Sequence, residues 1–556
     1  MNKNLFEKFI LVLVFSLALF LRVYKISSFP AGPNMDEVSQ GYTAYSILKT
    51  GRDEWGQFLP LSPRAFGDYR APLYTYLIIP SIALFGLNEW AIRFPAALVG
   101  SLAVLVLFFL TKKLIGNQSV SLGAAFLLAI SPWHISLSRG AFEASLHVFL
   151  FPLGFLLFLK GLKNLRCLLL SGTVLGLNLF SYYASRFFTP LAVVVLILFY
   201  RKEFLKEKKN LFFIVVFGFF VLFSGLALVW GGKTRVIDTS LTKPTDNWAG
   251  VAVRQYEAAW NGFSPAAEKL FNNKLSFIAV NFYKQYLDYF SPSFLFSRGP
   301  AEATYGMIPG RGVLYLFELP LILFAFYGLV KNVKNKEPKV GLLILTLLLI
   351  APLSAALAKG ERAANRAVPM LPFWPMLSAF GAVGLWEYLK KSVPKKLLLA
   401  SFIIISALSL AFFLEDYFYH APTLNAPNMS YGWRQISLLL EGKSKDCRKV
   451  VVSRHLSEPQ IAIAYFLKLD PYLVQQFSPN WLEYEKKGLL FVDQLSEYRL
   501  DKFEFRDFHF PEDQKLPNTL FIGKLEDFAG VKGKFENVVY YPGPEQKVAL
   551  KLVSFN

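Results

Sequence analysis

The sequence predicts an α-helical polytopic membrane protein with a C-terminal extracytoplasmic α/β domain. Three observations predict it. Hydrophobic residues fill 54% of the 556 positions, Phe alone 55 of them, and charged residues only 18%. Ordinary soluble domains carry about 25% charged residues. Apolar runs of near-bilayer length recur from the amino terminus to about residue 414. Beyond about residue 415 charges become dense and apolar runs short. A cytosolic enzyme, a disordered scaffold and a disulfide-rich secreted module are excluded. Cys167 falls in an apolar run and Cys447 in the polar tail, so no structural disulfide is expected.

The elements follow in order. Residues 1–24 carry Lys3 and Lys8 before an apolar stretch, like a signal peptide. No small-x-small cleavage site follows and Arg22 interrupts the far end, which predicts an uncleaved first helix. Further apolar runs lie near 72–87, 91–111, 119–136, 144–161, 166–183, 187–201, 210–230, 313–331, 340–358, 366–389 and 397–414. The net charge of +20 is concentrated in Lys/Arg clusters after several of these runs. Positive charge on short loops marks the cytoplasmic side. The clusters share one side only if one early run does not cross. The run 72–87, with Pro72, Pro80 and two tyrosines, is the best candidate for an interfacial or re-entrant helix. About eleven spanning helices result, with the amino terminus cytoplasmic and the carboxyl terminus outside. The expected division is a transmembrane domain over 1–414, with outer loops 25–90 and 232–311, and a soluble domain over 415–556. In the latter, KVVVSRH, TLFIGKL and KVALKLV read as strands, and SEPQIAIAYFLKLD as an amphipathic helix.

The ionisable residues near the outer ends of these runs are the candidates for chemistry. Asp36 and Glu37 precede a helical pattern with Val38, Tyr42, Tyr45 and Leu48 along one face. Two readings fit: a helix N-cap, or a carboxylate general base above the bilayer. Arg70 starts the run at 72–87. It reads as a snorkelling interface arginine or as a phosphate contact, because guanidinium matches phosphate geometry and stays charged. Arg139 and Glu143 lie four apart in a short turn, as a simple ion pair or as functional groups at the membrane boundary. His134 beside them reads as structural or as a metal ligand. Arg186, and then Lys359, Arg362 and Arg366, place positive charge on the outer side against the orientation rule. A lipid phosphate would compensate it, as would scattered pairing with Glu361. The aromatic stripe in NFYKQYLDYF reads as an amphipathic helix on the membrane, and Gly306, Gly310 and Gly312 allow hinge motion. The sequence holds no Walker loop, dinucleotide fingerprint, zincin motif or CxxC pair.

Taken in order, LRVY, Asp36-Glu37, YRAPLYTYL, NEWAIRFPAAL, SPWHISLSRGAFEA, FSPSFLF, GVLYLFELPL and RAVPMLPFWP resemble the GT-C membrane glycosyltransferases. The similar branch contains the protein O-mannosyltransferases and the bacterial lipid A aminoarabinose transferases. The resemblance covers about residues 5–414 and implies a GT-C fold. It implies an enzyme that takes a sugar from a polyprenyl-phosphate lipid and passes it to an acceptor, usually with inversion. Asp36 then matches the catalytic acidic position, with Glu37 beside it, and Glu143 the second acidic position. Arg70 stands where relatives carry Lys or His before a Pro pair, here Ala71-Pro72. Arg139 and Arg186 join it as expected phosphate contacts, and Arg362 and Arg366 match a basic stretch before the following helix. Some GT-C enzymes use a divalent metal; no metal or other cofactor is predicted here.

The physics agrees with that chemistry. A phosphate leaving group calls for basic neighbours, a hydroxyl nucleophile for a nearby base, and a lipid-soluble donor for a site at the membrane boundary. The expected partners are a polyprenyl-phosphate sugar, the membrane, and an acceptor glycan, lipid or protein, with no nucleic acid. Two other classes compete: a flippase or transporter of lipid-linked sugars, which usually shows repeats and midplane charges, and a glycan ligase or polymerase using a pyrophosphate-linked donor.

Overall fold

The computed structural model describes residues 3–205, 244–334, 339–443 and 447–555, with a few isolated positions between 215 and 241. Helix α1 (Lys3–Val23) leads into a long loop region that holds α2 (Met35–Thr50) and α3 (Pro72–Phe85). A helical bundle follows: α4 (Glu89–Ile115), α5 (Gln118–Ile130), α6 (Pro132–Ser138), α7 (Ser145–Gly161), α8 (Leu165–Asn178) and α9 (Tyr183–Phe199). After α10 (Pro244–Trp260) and α11 (Lys274–Asp288) come α12 (Glu318–Lys334), α13 (Lys339–Ile350), α14 (Phe373–Leu389) and α15 (Lys395–Glu415). The predicted run near 210–230 lies largely outside the described residues.

Local chemistry sets these boundaries. Asn88 caps α4 by accepting the Ala91 N–H at 2.9 Å, and Gly116 ends it in the left-handed conformation, φ 70°. Pro132, which has no N–H to donate, falls where α5 gives way to α6 and the axis bends by 56°. Four of the described helices are long and apolar enough to cross a membrane, or five if the bent α5–α6 pair is one span. Helix α3 is 14 residues long, about 21 Å at 1.5 Å per residue, against a hydrocarbon core of about 30 Å. The bundle core is aromatic and aliphatic, with Phe108, Phe151, Phe155 and Phe188 buried. Lys112 at the end of α4 pairs with Glu7 of α1, and Lys339 at the start of α13 with Glu203 after α9 at 3.2 Å. These basic termini therefore meet the chain at matching helix ends.

The tail adds α16 (Trp433–Lys443), α17 (Pro459–Phe466) and α18 (Pro471–Trp481). It also forms a six-stranded sheet: β1 (Lys449–Val452), β2 (Glu497–Leu500), β3 (Phe503–Arg506), β4 (Thr519–Gly523), β5 (Phe535–Tyr540) and β6 (Val548–Ser554). The strand order is β2-β3-β1-β4-β6-β5. β1 runs parallel to β3 and β4, and the remaining pairings are antiparallel. The unbroken Val450-Val451-Val452 suits a central strand covered on both faces. The predicted strands correspond to β1, β4 and β6 and the predicted helix to α17; β2, β3 and β5 come in addition.

The tail packs against the loop region. One hydrophobic cluster holds Val38 and Tyr42 of α2, Ile92 of α4, Ile461 and Tyr465 of α17, and Val450 of β1. At Gly41 a Cβ would stand 2.8 Å from the Tyr465 ring, so only glycine permits this approach of α2 and α17. Tyr42 donates its hydroxyl to the Leu469 carbonyl at 2.9 Å, and the Val492 N–H donates to Phe66 at 3.2 Å. The tail thus braces the segment that carries Asp36 and Arg70.

Candidate active site

The site begins at the first turn of α2. Its N-cap is Asn34, which accepts the Glu37 N–H at 3.1 Å while Glu37 Oε2 accepts the Asn34 N–H at 2.9 Å. This capping box satisfies the helix end without Asp36, whose carboxylate turns elsewhere. Asp36 Oδ1 accepts from Arg70 Nη2 at 2.9 Å, and Oδ2 from the Tyr305 hydroxyl at 3.1 Å. Arg70 Nη1 also donates to the Asp36 carbonyl at 3.0 Å. Arg70 is 5% exposed and the Asp36 side chain 37%, so a hidden arginine holds a presented carboxylate. Burial alone would lower the Arg70 pKa; Asp36, Asp68, Glu458 and Glu143 outweigh it and raise it.

The carboxylate opens on a cavity of about 560 Å³. Glu143, Arg70, Arg186 and Arg366 line it together with Asp36, from five distant parts of the chain. Apolar groups such as Phe142, Phe187 and Leu357 complete the wall. Arg186 lies over the Tyr183 ring, 4.3 Å from its centroid, and Arg366 donates to the Lys359 carbonyl.

Glu37, Arg139, Arg362 and His134, also singled out by the sequence, lie off this cavity. Glu37 is fully buried and paired with Arg93. It accepts from Arg93 Nε at 2.8 Å, Arg93 Nη2 at 3.0 Å and the Ala141 N–H at 2.8 Å. Arg93 in turn donates to the carbonyls of Ile26, Pro30 and Gly32. The pair ties α2 to α4, to the loop before α2 and to the turn that carries Glu143. Arg139 is also buried; it donates to the carbonyls of Leu21, Arg22, Tyr24 and Phe29 and lies beside the Tyr417 and Phe418 rings, 5.2 and 5.1 Å from their centroids. It gathers up the end of α1, whose last carbonyls lack helical partners. Arg362 sits 3.6 Å from Asp288 and donates to Ser293 at 3.3 Å. His134 Nδ1 lies 2.8 Å from Arg22 Nη2, within the bundle. Among the described residues, Glu415, Asp416 and His420 bring possible metal-ligand atoms within 4.8 Å of one another, away from the cavity.

Sequence reasoning missed Tyr305, Glu302 and Gln40, all of which line the cavity. It also missed a buried carboxyl group from the tail. Glu458 stands at the N-cap of α17 with a left-handed backbone, φ 45°, and its Oε2 is buried with no hydrogen-bond partner among the described residues. Burial and the charges of Asp36, Asp68 and Asp493 push it up to about 8, against the opposing pull of Arg70. In the loop after α2, burial raises Glu54 to about 8 and Asp53 to about 6, each holding part of the tail. The Glu54 carbonyl accepts from Ser478 at 2.7 Å and the Asp53 carbonyl from Gln475 at 2.9 Å.

A second cavity, about 400 Å³, lies against the first. Asp36, Glu302 and Tyr305 line both and form the partition. The rest of its wall comes from Asn34, Met35 and Thr304 and from the tail, including Tyr431, Trp433, Ser457, Lys524 and Tyr541.

The family described as dolichyl-phosphate-mannose-protein mannosyltransferase matches residues 69–230. That stretch contains Arg70, Glu143 and Arg186. A comparison of the sequence with curated proteins gives no significant match. In three dimensions the chain is similar to ArnT from Cupriavidus metallidurans in the apo state, at 10% identity, covering 97% of this chain and 97% of that one, with a TM-score of 0.51. ArnT bound to undecaprenyl phosphate aligns at 11% identity over 99% of this chain and 97% of that one, with a TM-score of 0.50. These two similarities are of fold, and the fold is that of ArnT. The archaeal oligosaccharyltransferase AglB from Archaeoglobus fulgidus, in complex with an inhibitory peptide and a dolichol-phosphate, aligns at 16% identity and a TM-score of 0.45. The alignment covers 84% of this chain and 64% of that one, so the chain spans under two thirds of AglB.

Proposed function

From the family match over residues 69–230 and the fold shared with ArnT, we propose that the chain is a membrane glycosyltransferase of the GT-C class that transfers a sugar from a polyprenyl-phosphate lipid to an acceptor hydroxyl, with inversion, on the outer face of the membrane. One observation carries this reading: the Asp36 carboxylate, held by Arg70, faces a cavity that also gathers Arg186, Arg366 and Glu143.

The three guanidinium groups suit the phosphate of the donor. They match its oxygens in geometry and stay charged, and they stabilise the negative charge that grows as the sugar leaves. The apolar part of the wall suits a lipid. ArnT has been seen with undecaprenyl phosphate, and a donor of that kind fits the same fold here. The acceptor hydroxyl reaches Asp36 from the second cavity, across the partition from the arginines. Its oxygen attacks the anomeric carbon on the face away from the phosphate. The anomeric carbon–oxygen bond breaks, its electron pair stays on the phosphate, and the hydroxyl proton passes to Asp36. The products are the glycosylated acceptor and the polyprenyl phosphate. An energy-rich sugar–phosphate bond drives the step, so no nucleotide is needed. The basic helix ends at Lys112 and Lys339 support a cytoplasmic assignment for their end of the bundle.

Replacing Asp36→Asn tests the proposal. Transfer from a polyprenyl-phosphate sugar should vanish while yield and melting temperature stay at wild-type values. Full activity in that variant would overturn it.

A further inference from the structure

We propose that the second cavity is the acceptor site and that it takes a saccharide, recognised by the tail domain. The inference rests on the glycosyltransferase reading above and specifies its acceptor. At about 400 Å³ the cavity falls in the size range of small-molecule sites, about 300–1,000 Å³. Asp36 and Tyr305 form its boundary with the donor side, so a hydroxyl bound here meets the carboxylate directly.

The tail presents to this cavity the part of its sheet best suited to ligands. Ser457 follows β1 and Lys524 follows β4, the two central parallel strands. In open α/β sheets, ligands bind beyond the carboxyl ends of such strands, where the connections diverge. The lining is aromatic and hydroxylic. Tyr431 and Tyr541 stand with ring centroids 6.0 Å apart, and Trp433, 5% exposed, lines the same cavity. Ser457, Thr304 and Asn428 add polar groups that carry no charge. Flat apolar rings edged with hydroxyls and amides suit the faces and edges of sugar rings.

Two other acceptor chemistries fit less well. A peptide that binds by adding a strand needs a free sheet edge. The strands that open here, β1, β4 and β6, are interior to the sheet, whose edges are β2 and β5. A phosphorylated lipid headgroup needs several cations, whereas Lys524 is the one lysine or arginine among the described residues of this wall.

The experiment uses the full-length protein in lipid nanodiscs. Its donors are radiolabelled polyprenyl-phosphate sugars extracted from cells that make the protein. Its acceptors are polysaccharide, protein and lipid fractions of the same envelope, assayed separately. Label should enter the polysaccharide fraction. Tyr541→Ala and Tyr431→Ala should each raise the acceptor KM about tenfold, the scale of one lost aromatic contact, with donor KM unchanged. Label entering protein or lipid instead would overturn the saccharide assignment and leave the transferase reading intact. An unchanged acceptor KM in both variants would overturn the site. Absence of labelled product in every fraction would overturn the transferase reading, and this inference with it.

Discussion

Arg70 donates twice to Asp36, to its backbone carbonyl at 3.0 Å and to its carboxylate at 2.9 Å. One guanidinium thereby fixes both the main chain at the start of α2 and the direction of the side chain. The arginine is hidden and the carboxylate presented. On the proposed function, this geometry makes Asp36 a positioned base beside a phosphate site.

A lysine at position 70 would keep the charge and lose the fork that makes two bonds at once. Arg70→Lys should lower kcat by about a hundredfold, the scale of a small misplacement of a reacting group. Thermal unfolding should be unchanged. Steady-state transfer kinetics check the first point and a melting curve the second.

Glu37 is fully buried in an ion pair with Arg93. Removing one partner of a buried ion pair typically costs about 3–5 kcal/mol. Glu37→Ala should therefore lower the melting temperature sharply and reduce the yield of folded protein, unlike Asp36→Asn. A Glu37→Ala protein that melts like wild type but cannot transfer sugar would give Glu37 a chemical role instead.

Tyr305 shares the Asp36 carboxylate with Arg70 through a bond of 3.1 Å. Such a bond contributes about 0.5–1.5 kcal/mol net. Tyr305→Phe should reduce kcat by roughly a factor of ten or less and leave the fold untouched. Loss of activity beyond a thousandfold would place the hydroxyl itself in the reaction.

The buried carboxyl groups at the junction with the tail make stability depend on pH. Burial raises Glu458 and Glu54 to about 8 and Asp53 to about 6. The folded chain keeps these protons where the unfolded chain, titrating near about 4, has lost them. Their contribution is thus complete below that value and is lost as pH rises through the folded values. The melting temperature should fall between about pH 5 and about pH 8. Glu54→Gln with Glu458→Gln should flatten that fall. Parallel pH profiles for wild type and double variant would contradict the assignment.

Much of this site could be read from the sequence because its members sit where apolar runs end. Asp36, Arg70, Glu143, Arg186 and Arg366 each stand out as a charge beside a helix that has few. The same signal also picked out Glu37, Arg139 and Arg362. A charge at a helix end can equally clamp backbone carbonyls or a partner within the fold, and spacing does not separate the two uses. Tyr305 left no local trace, since its partner Asp36 is 269 residues away. Strands β1, β4 and β6 were legible as apolar runs. β2 (EYRL) and β3 (FEFR) are short and half charged, and their pairing with each other supplies the order. That α2 rests on α17 depends on Gly41 meeting Tyr465, a contact no periodicity reveals.

The central claim is that Arg70, Arg186 and Arg366 form a phosphate site facing Asp36. A cryo-EM structure of the protein with a short-chain polyprenyl phosphate tests it most directly. The phosphate should appear within hydrogen-bonding distance of at least two of these guanidinium groups, with the lipid chain leaving along Phe187 and Leu357. A phosphate bound elsewhere on the molecule, with this cavity empty, would contradict the account.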